Sequence, residues 1–527
     1  YKNLDPDFGW HFRTGQLILE RGVPYQDWYS YTMPNFPWID HEWLTDVLIY
    51  KIYSYFGGNF LLLIFLFIYT LSFFIIKNQN YNFKFFIFAT SLGYLTTLGL
   101  LGIRPQLLTI FFIAILWKIL SNFLENSSKF IYPVRNQIHK QIGSYFWRPI
   151  SNGVYFLPFL FLFWANLHAG FFAGLFILSI ILFLEIFKKF RFGPRFKILS
   201  FLNNFSFNEQ TTTKILILGI VIVFSFLATL INPYGLRIYE EIFRTVGDRY
   251  VKFHIIEWFP LLFTGFKPFT YLYIGLFLVF LMTSYKKIEL NKIIISLIFL
   301  LSALLSVRNY LIFVILSVPI INETFLHLKE KIKLKEAYNS LYNFSKFYKG
   351  LFLISVVIFI VSLEISFYRS IISSMNNDFS EKNYPEKAVL FLKNISLSEN
   401  LFNDYGWGGY LIWKLPERKV FIDGRMPIWR ENGKFAFGDY NKLMTAKRGF
   451  EKTLEDYRIK IVFIKKKLNY KKENIPENGW LDRFTKKHPF LSRHILGIYD
   501  KKKLEEELIK LGWNIIYQDD IAIVLKK

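Results

Sequence analysis

The run FLLLIFLFIYTLSFFII, Phe60 to Ile76, carries no charge and no polar face at helical spacing. A soluble globule has nowhere to put such a segment, because a helix at its surface must present a polar stripe to water. Lipid accepts it, on condition that every backbone N–H and C=O is satisfied within the segment, which means a helix. Similar apolar segments recur at about 85–103, 105–121, 153–165, 169–187, 215–232, 269–284, 293–307, 309–326 and 350–368. With 53% hydrophobic and 20% aromatic residues, the chain reads as a polytopic α-helical membrane protein of about ten spans.

The net charge of +24 would suggest nucleic acid if it lay on one soluble face, but most of it follows the apolar segments. Alternate loops (77–84, 122–152, 188–214, 285–292 and 327–349) hold 21 Lys and Arg against five acids; residues 1–57 and 233–268 hold nine basic residues and eleven acids. The first set is expected in the cytoplasm and the second outside. A chain that begins outside, at a Tyr and not a Met, is expected to lack a leader or one preceding span. Cysteine is absent, which excludes disulfides and thiolate metal sites.

Three regions follow. Residues 1–57 read as a first extracytoplasmic loop with interfacial helices at about 8–21 and 41–56, and 58–368 as the membrane domain. Residues 376–527 read as an extracytoplasmic soluble α/β domain, with strands at KVFID and IKIVFIKK and helices at 385–394 and 501–511. The expected location is a bacterial inner membrane.

Polar residues gather on the outer side. Three outer turns are very tight, and each holds a polar residue at membrane depth: Arg104, Asn166 to His168, and Arg308 with Asn309. Such residues are expensive there and mark sites. The loop at 233–268 adds His254 and Glu257, and the first loop adds His41 and Glu42. At the start stands DPDFGWHFRTG, with Asp5 and Asp7 beside Trp10 and His11. Paired carboxylates against an aromatic surface can hold a divalent cation, Mg or Mn, or one can act as a general base with a raised pKa. In the tail, FNDYGWGGYLIWKLPERKVFIDGR offers glycines at 406, 408 and 409, a turn something can approach closely, with Asp404, Tyr405, Asp423 and Arg425 as candidate binding residues. Asp423 and Arg425 can equally pair with each other.

The order acid pair, helix, ERG, aromatic and Pro loop, then EWLTDVLIYKIYSYFGG resembles the first periplasmic loop of GT-C glycosyltransferases, nearest to lipid A aminoarabinose transferases and protein mannosyltransferases. GIRPQ, WANLHAG, INPYG, EWFP and SVRN are also marks of a broad bacterial membrane family with this first loop. The resemblance places Asp7 at the family's catalytic acid with Asp5 as an extra neighbour, and His11 where the family has an aromatic residue. The family's Lys-Pro-Pro is replaced by Pro37 to Ile39, so Arg104, His41, His168 or Arg308 would have to hold the donor phosphate. DYG at 404–406 looks like part of the WWDYG region of oligosaccharyltransferase catalytic subunits, without its paired Trp. The resemblance implies transfer of a sugar from a polyprenyl-phosphate donor to a glycan, lipid or protein acceptor outside the membrane, with Asp7 as base and no nucleic acid partner. A transporter or flippase, and a non-catalytic envelope anchor, are the alternatives; the anchor predicts that Asp5, Asp7, Arg104 and Arg308 lie apart.

Overall fold

A computed structural model describes residues 5–77, 83–126, 153–187, 211–263, 268–333, 384–395, 398–466 and 504–527. Within them the apolar segments are helices. Helix α1 (Phe8–Arg21) buries Phe8, Trp10, His11, Thr14, Leu17 and Ile18, the three-and-four spacing of one helical face, and ends at Gly22 with φ 86°. Helix α2 (Trp43–Ile75) breaks at Gly57, whose φ of 79° and ψ of 171° no helix contains. Before the break it packs on α1. Tyr55, Phe56 and Phe60, all exposed, ring the bend, where aromatic side chains suit the boundary of lipid and water.

There follow α3 (Phe83–Thr97), α4 (Gln106–Asn126), α5 (Leu157–Leu167), α6 (Phe171–Phe187) and α7 (Thr211–Thr229). Next come two short helices, α8 (Arg237–Gly247) and α9 (Arg249–His254), then α10 (Pro268–Ser284), α11 (Leu290–Leu305) and α12 (Tyr310–Lys333). Among the described residues, five helices are long and apolar enough to cross a membrane, and four further apolar ones are shorter. Helix α12 runs through the middle of the bundle: Phe313 to Leu316, Val318 and Ile320 have no exposed surface. The expected segment at 350–368 lies outside the described residues.

The tail contains α13 (Glu386–Lys393), β1 (Asn400–Asn403), α14 (Gly408–Lys414), α15 (Ala436–Met444), α16 (Phe450–Asp456), β2 (Ile459–Lys465), α17 (Leu504–Lys510), β3 (Asn514–Gln518) and β4 (Ala522–Lys526). The sheet order is β1-β2-β4-β3, parallel at β1/β2 and antiparallel elsewhere. One expectation is corrected. KVFID is no strand of this sheet; Val420 instead exchanges backbone hydrogen bonds with the first loop, donating to Tyr29 O at 2.9 Å and accepting from Tyr31 N at 3.2 Å. Its alternating pattern fits an extended segment buried between two partners as well as it fits a sheet strand.

The tail and the first loop are therefore stitched together. Thr32 donates to Phe421 O and Tyr31 to Leu401 O. A Cβ on Gly9 would stand 2.0 Å from Gly409 O, and one on Gly409 would stand 2.4 Å from Pro6 O. Helices α1 and α14 thus touch backbone to backbone, which only a pair without side chains allows.

Candidate functional site

Four chain segments converge beside the N-terminus of α1. Arg104 Nε lies 2.7 Å from Asp5 Oδ2, and Arg104 Nη1 lies 2.8 Å from Glu257 Oε1. Asp7, the residue before α1, donates its backbone N–H to Asp5 Oδ1 at 3.0 Å, so the two acids are held side by side. Burial and the charge of Asp5 raise the Asp7 carboxyl to about 7. Burial raises Asp5 too, against the opposing pull of Arg104. The fourth segment is the tail: a Cβ on Gly424 would fall 1.7 Å from Asp7 Oδ1. The Asp7 carboxylate therefore rests on the backbone of the tail.

His11 lies one turn along from Asp7 and faces a second, buried cluster. Its Nδ1 is 2.6 Å from Asp46 Oδ1 and its Nε2 is 3.5 Å from Glu42 Oε2. Glu42 also has His168 Nε2 at 3.1 Å and His41 Nε2 at 3.6 Å. Burial pushes the Glu42 carboxyl up, yet these histidines together hold it well below the usual range. Gly170 N–H donates to His168 Nδ1, and Trp164 Nε1 donates to Thr109 Oγ1, which leaves the Thr109 hydroxyl to donate to His168 Nδ1. The His168 proton is thereby assigned to Nε2, towards Glu42, and burial keeps the ring's pKa below its ordinary value. His11 is held by Asp46 and His168 by Thr109 and Gly170, while His168 Nε2 makes no hydrogen bond of its own.

Arg308 differs. It is half-buried, its guanidinium lies 5.4 Å from the centre of the Trp258 ring, and it has no carboxylate within ion-pair distance among the described residues. The turn that carries it is tied to the turn that carries Glu257: Val307 N donates to Phe259 O at 2.9 Å and Ser306 Oγ to Glu257 O at 3.2 Å. Arg104 and Arg308 thus flank the Glu257–Trp258 turn, and the charge of Arg308 is felt at His168. Asp5, Arg104 and Glu257 touch, Asp7 adjoins them, and Arg308 stands beside the same turn. His254 donates Nδ1 to Tyr250 O at 2.8 Å and stacks on the Tyr250 ring, 3.7 Å between centroids.

The tail residues divide in two. Asp404 accepts from Gly406 N at 3.0 Å and pairs with Lys465 at 3.0 Å. Burial raises the Tyr405 hydroxyl well above its usual pKa, and the charges of Asp7, Asp423 and Glu257 add to that, which puts the DYG turn beside the acids. Tyr384 likewise feels Asp5, Asp7 and Arg104. Asp423 and Arg425 are instead closed in on themselves. Arg425 bonds Asp423 at 2.6 and 2.8 Å and Asp27 at 2.8 Å, and its guanidinium lies 4.3 Å from the Trp38 ring and 4.7 Å from that of Tyr29. This triad joins loop to tail. Gly409 is approached too, but by Pro6 and Trp10, whereas Gly408 lies against Ile422 and Asp423 of the tail itself.

The donor set does not fit a divalent cation. Among the described residues no three His, Asp or Glu side chains converge in a metal-binding group, and Asp5 and Glu257 already share a guanidinium. Sequence reasoning missed Asp27, Asp46, Thr109, Trp258 and Tyr384. Asp27 was legible as an acid beside aromatics in the first loop and Asp46 as an acid within a largely apolar helix; Thr109 and Tyr384 carry no local signal.

No family model and no curated protein sequence matches the chain. Solved structures do. An archaeal oligosaccharyltransferase, AglB from Archaeoglobus fulgidus in complex with an inhibitory peptide and a dolichol-phosphate, matches with a TM-score of 0.54 and 12% identity, over 94% of this chain and 68% of that one. The apo form of the Archaeoglobus fulgidus oligosaccharyltransferase gives 0.53 and 12% over 94% and 68%; the form tethered to an acceptor peptide containing the NVT sequon gives 0.52 and 13% over 94% and 67%. The chain thus shares the overall fold of these solved structures over 94% of its length.

Proposed function

We propose that the chain is a multi-pass membrane glycosyltransferase that moves a sugar from a polyprenyl-phosphate donor to an acceptor nucleophile on the outer side of a bacterial inner membrane. The observation that carries this reading is Asp7: a carboxyl raised to about 7, beside Asp5, Arg104 and Glu257, at one end of a GT-C bundle and against its tail domain. A base with a pKa near the working pH combines a deprotonated population with a useful driving force for taking a proton. The three regions, a first loop over 1–57, a bundle over 58–368 and a tail over 376–527, are taken as working parts of one enzyme. The solved neighbour bound to a dolichol-phosphate supports a lipid-linked donor, and the one tethered to a peptide makes a protein acceptor one choice beside a glycan or a lipid.

In the reaction the acceptor O–H or N–H gives its proton to Asp7 as its heavy atom attacks the anomeric carbon. The bond from that carbon to the phosphate oxygen breaks, the electron pair leaves with the phosphate, and the configuration inverts. Charge gathers on the leaving phosphate, where a preoriented cation contributes most. Arg308, with no carboxylate within ion-pair distance among the described residues, is the residue best suited to meet it; His41, half-buried beside Glu42, is a second candidate. Tyr405 stands on the tail side of the acids, and the turn it shares with Asp404 is where an acceptor would approach.

The test is transfer from a labelled polyprenyl-phosphate-sugar pool by the purified protein, wild type against Asp7→Asn, with donor binding followed separately. Binding by both and transfer by wild type alone is expected. Equal transfer by a folded Asp7→Asn overturns the base assignment; binding with no transfer in either favours a flippase, and no binding an anchor.

A further inference from the structure

Carboxylates gathered from distant parts of a chain repel one another, and a divalent cation bound by their oxygens is the common remedy. Here Asp5, Asp7 and Glu257 are neighbours, without the convergence that a metal-binding group would need among the described residues. Between two of them stands a guanidinium, with Nε on Asp5 at 2.7 Å and Nη1 on Glu257 at 2.8 Å. Two different nitrogens make the two contacts, so Arg104 bridges the acids as an ion would, with fixed directions. The sequence holds it there. Leu101 and Ile103 are buried just before it, Pro105 follows, and the Arg104 carbonyl accepts from Leu107 N at 3.0 Å to start α4. Its charge is secure, because the neighbouring acids outweigh the effect of burial and raise its pKa.

We propose that Arg104 is a built-in replacement for a divalent cation: it holds Asp5 and Glu257 together and supplies the positive charge beside Asp7, so that the site works without Mg or Mn. A guanidinium cannot dissociate, and its second terminal nitrogen keeps donors for an anionic oxygen. The structural half of the proposal stands alone; its consequence for turnover rests on the glycosyltransferase reading.

Mn²⁺ titration of the purified full chain, read by electron paramagnetic resonance up to millimolar ion, tests it. Wild type is expected to take up no saturable Mn²⁺. Arg104→Gln, which leaves Asp5, Asp7 and Glu257 without their counter-ion, is expected to gain one site, and Arg104→Gln/Asp5→Asn to lose it again. Saturable binding by wild type that Asp5→Asn abolishes overturns the proposal, as does a folded Arg104→Gln that gains no ion. If Arg104→Gln fails to fold, the wild-type and Asp5→Asn titrations decide alone. Transfer, once assayed, should change less than twofold in excess EDTA. Absence of transfer from every preparation would sink the glycosyltransferase reading and leave the ion titrations unmoved, so the two failures are distinguishable.

Discussion

Asp7 ties the local electrostatics to a rate. Because burial beside Asp5 raises its carboxyl to about 7, the transfer rate should climb with pH through about 7 and then level. Asp7→Asn should flatten that limb and slow transfer roughly 10²–10⁴-fold. The same shift acts on stability with the opposite sign. Between the ordinary carboxylate value and about 7 the native state holds a proton that the unfolded chain has lost, so this group's contribution to stability falls as pH rises across that interval. A pH–rate profile and melting curves at matched pH read the two effects separately. Gly424→Ala probes the same carboxylate from the tail: with a Cβ 1.7 Å from Oδ1, Asp7 must move. Transfer should drop by at least tenfold while donor affinity changes little, and a kcat/KM split with unchanged donor binding checks it. Asp5, Asp7 and Arg104 were legible because charge at a membrane boundary is costly enough to need a reason. Arg425 was legible only as ambiguous: a DGR triplet in sequence does not disclose that both its charges face inward.

At the scale of elements, the contact between α1 and α14 carries the alignment. Their meeting point is Gly9 against Gly409, and the distances leave no room for a methyl group. Gly409→Ala should cost about 1–3 kcal/mol by overpacking and lower the melting temperature in detergent. Gly406→Ala is the control, since its Cβ would be 3.2 Å from the end of the flexible Lys465 side chain, and it should cost much less. The helices of the bundle were legible almost to their ends, since uninterrupted apolarity over a span's length has one solution in lipid. In the tail, α13, β2 and α17 appeared where periodicity and charge pattern put them. KVFID did not join the sheet, because which partner an extended segment chooses depends on the register of a loop nearly 400 residues away, and period-two alternation carries no record of it.

Across the whole molecule, the first loop and the tail that enclose Asp7 are joined by a seam, and the seam is centred on one cation. Arg425 bonds Asp423 two residues before it and Asp27, 398 positions away, with its side chain 2% exposed and those of both acids fully buried. Polytopic architecture could be read from hydropathy, but this triad could not, because nothing local pairs Asp27 with Arg425. Its energetics give a prediction with an internal control. Arg425→Gln alone strands two buried acids and should destabilise the protein by about 3–5 kcal/mol. Adding Asp27→Asn and Asp423→Asn removes the stranded charge, and the triple variant should recover most of the loss, because a buried ion pair adds little net stability over a neutral replacement. Melting of the three proteins in one detergent, followed by tryptophan fluorescence from Trp38 and Trp429 beside the guanidinium, reads the result. If Arg425→Gln melts with wild type, the seam is held by the backbone pairing at Val420 and the glycine contact instead. If the triple variant stays as unstable as the single one, the ring contacts of the guanidinium outweigh its charge pairing.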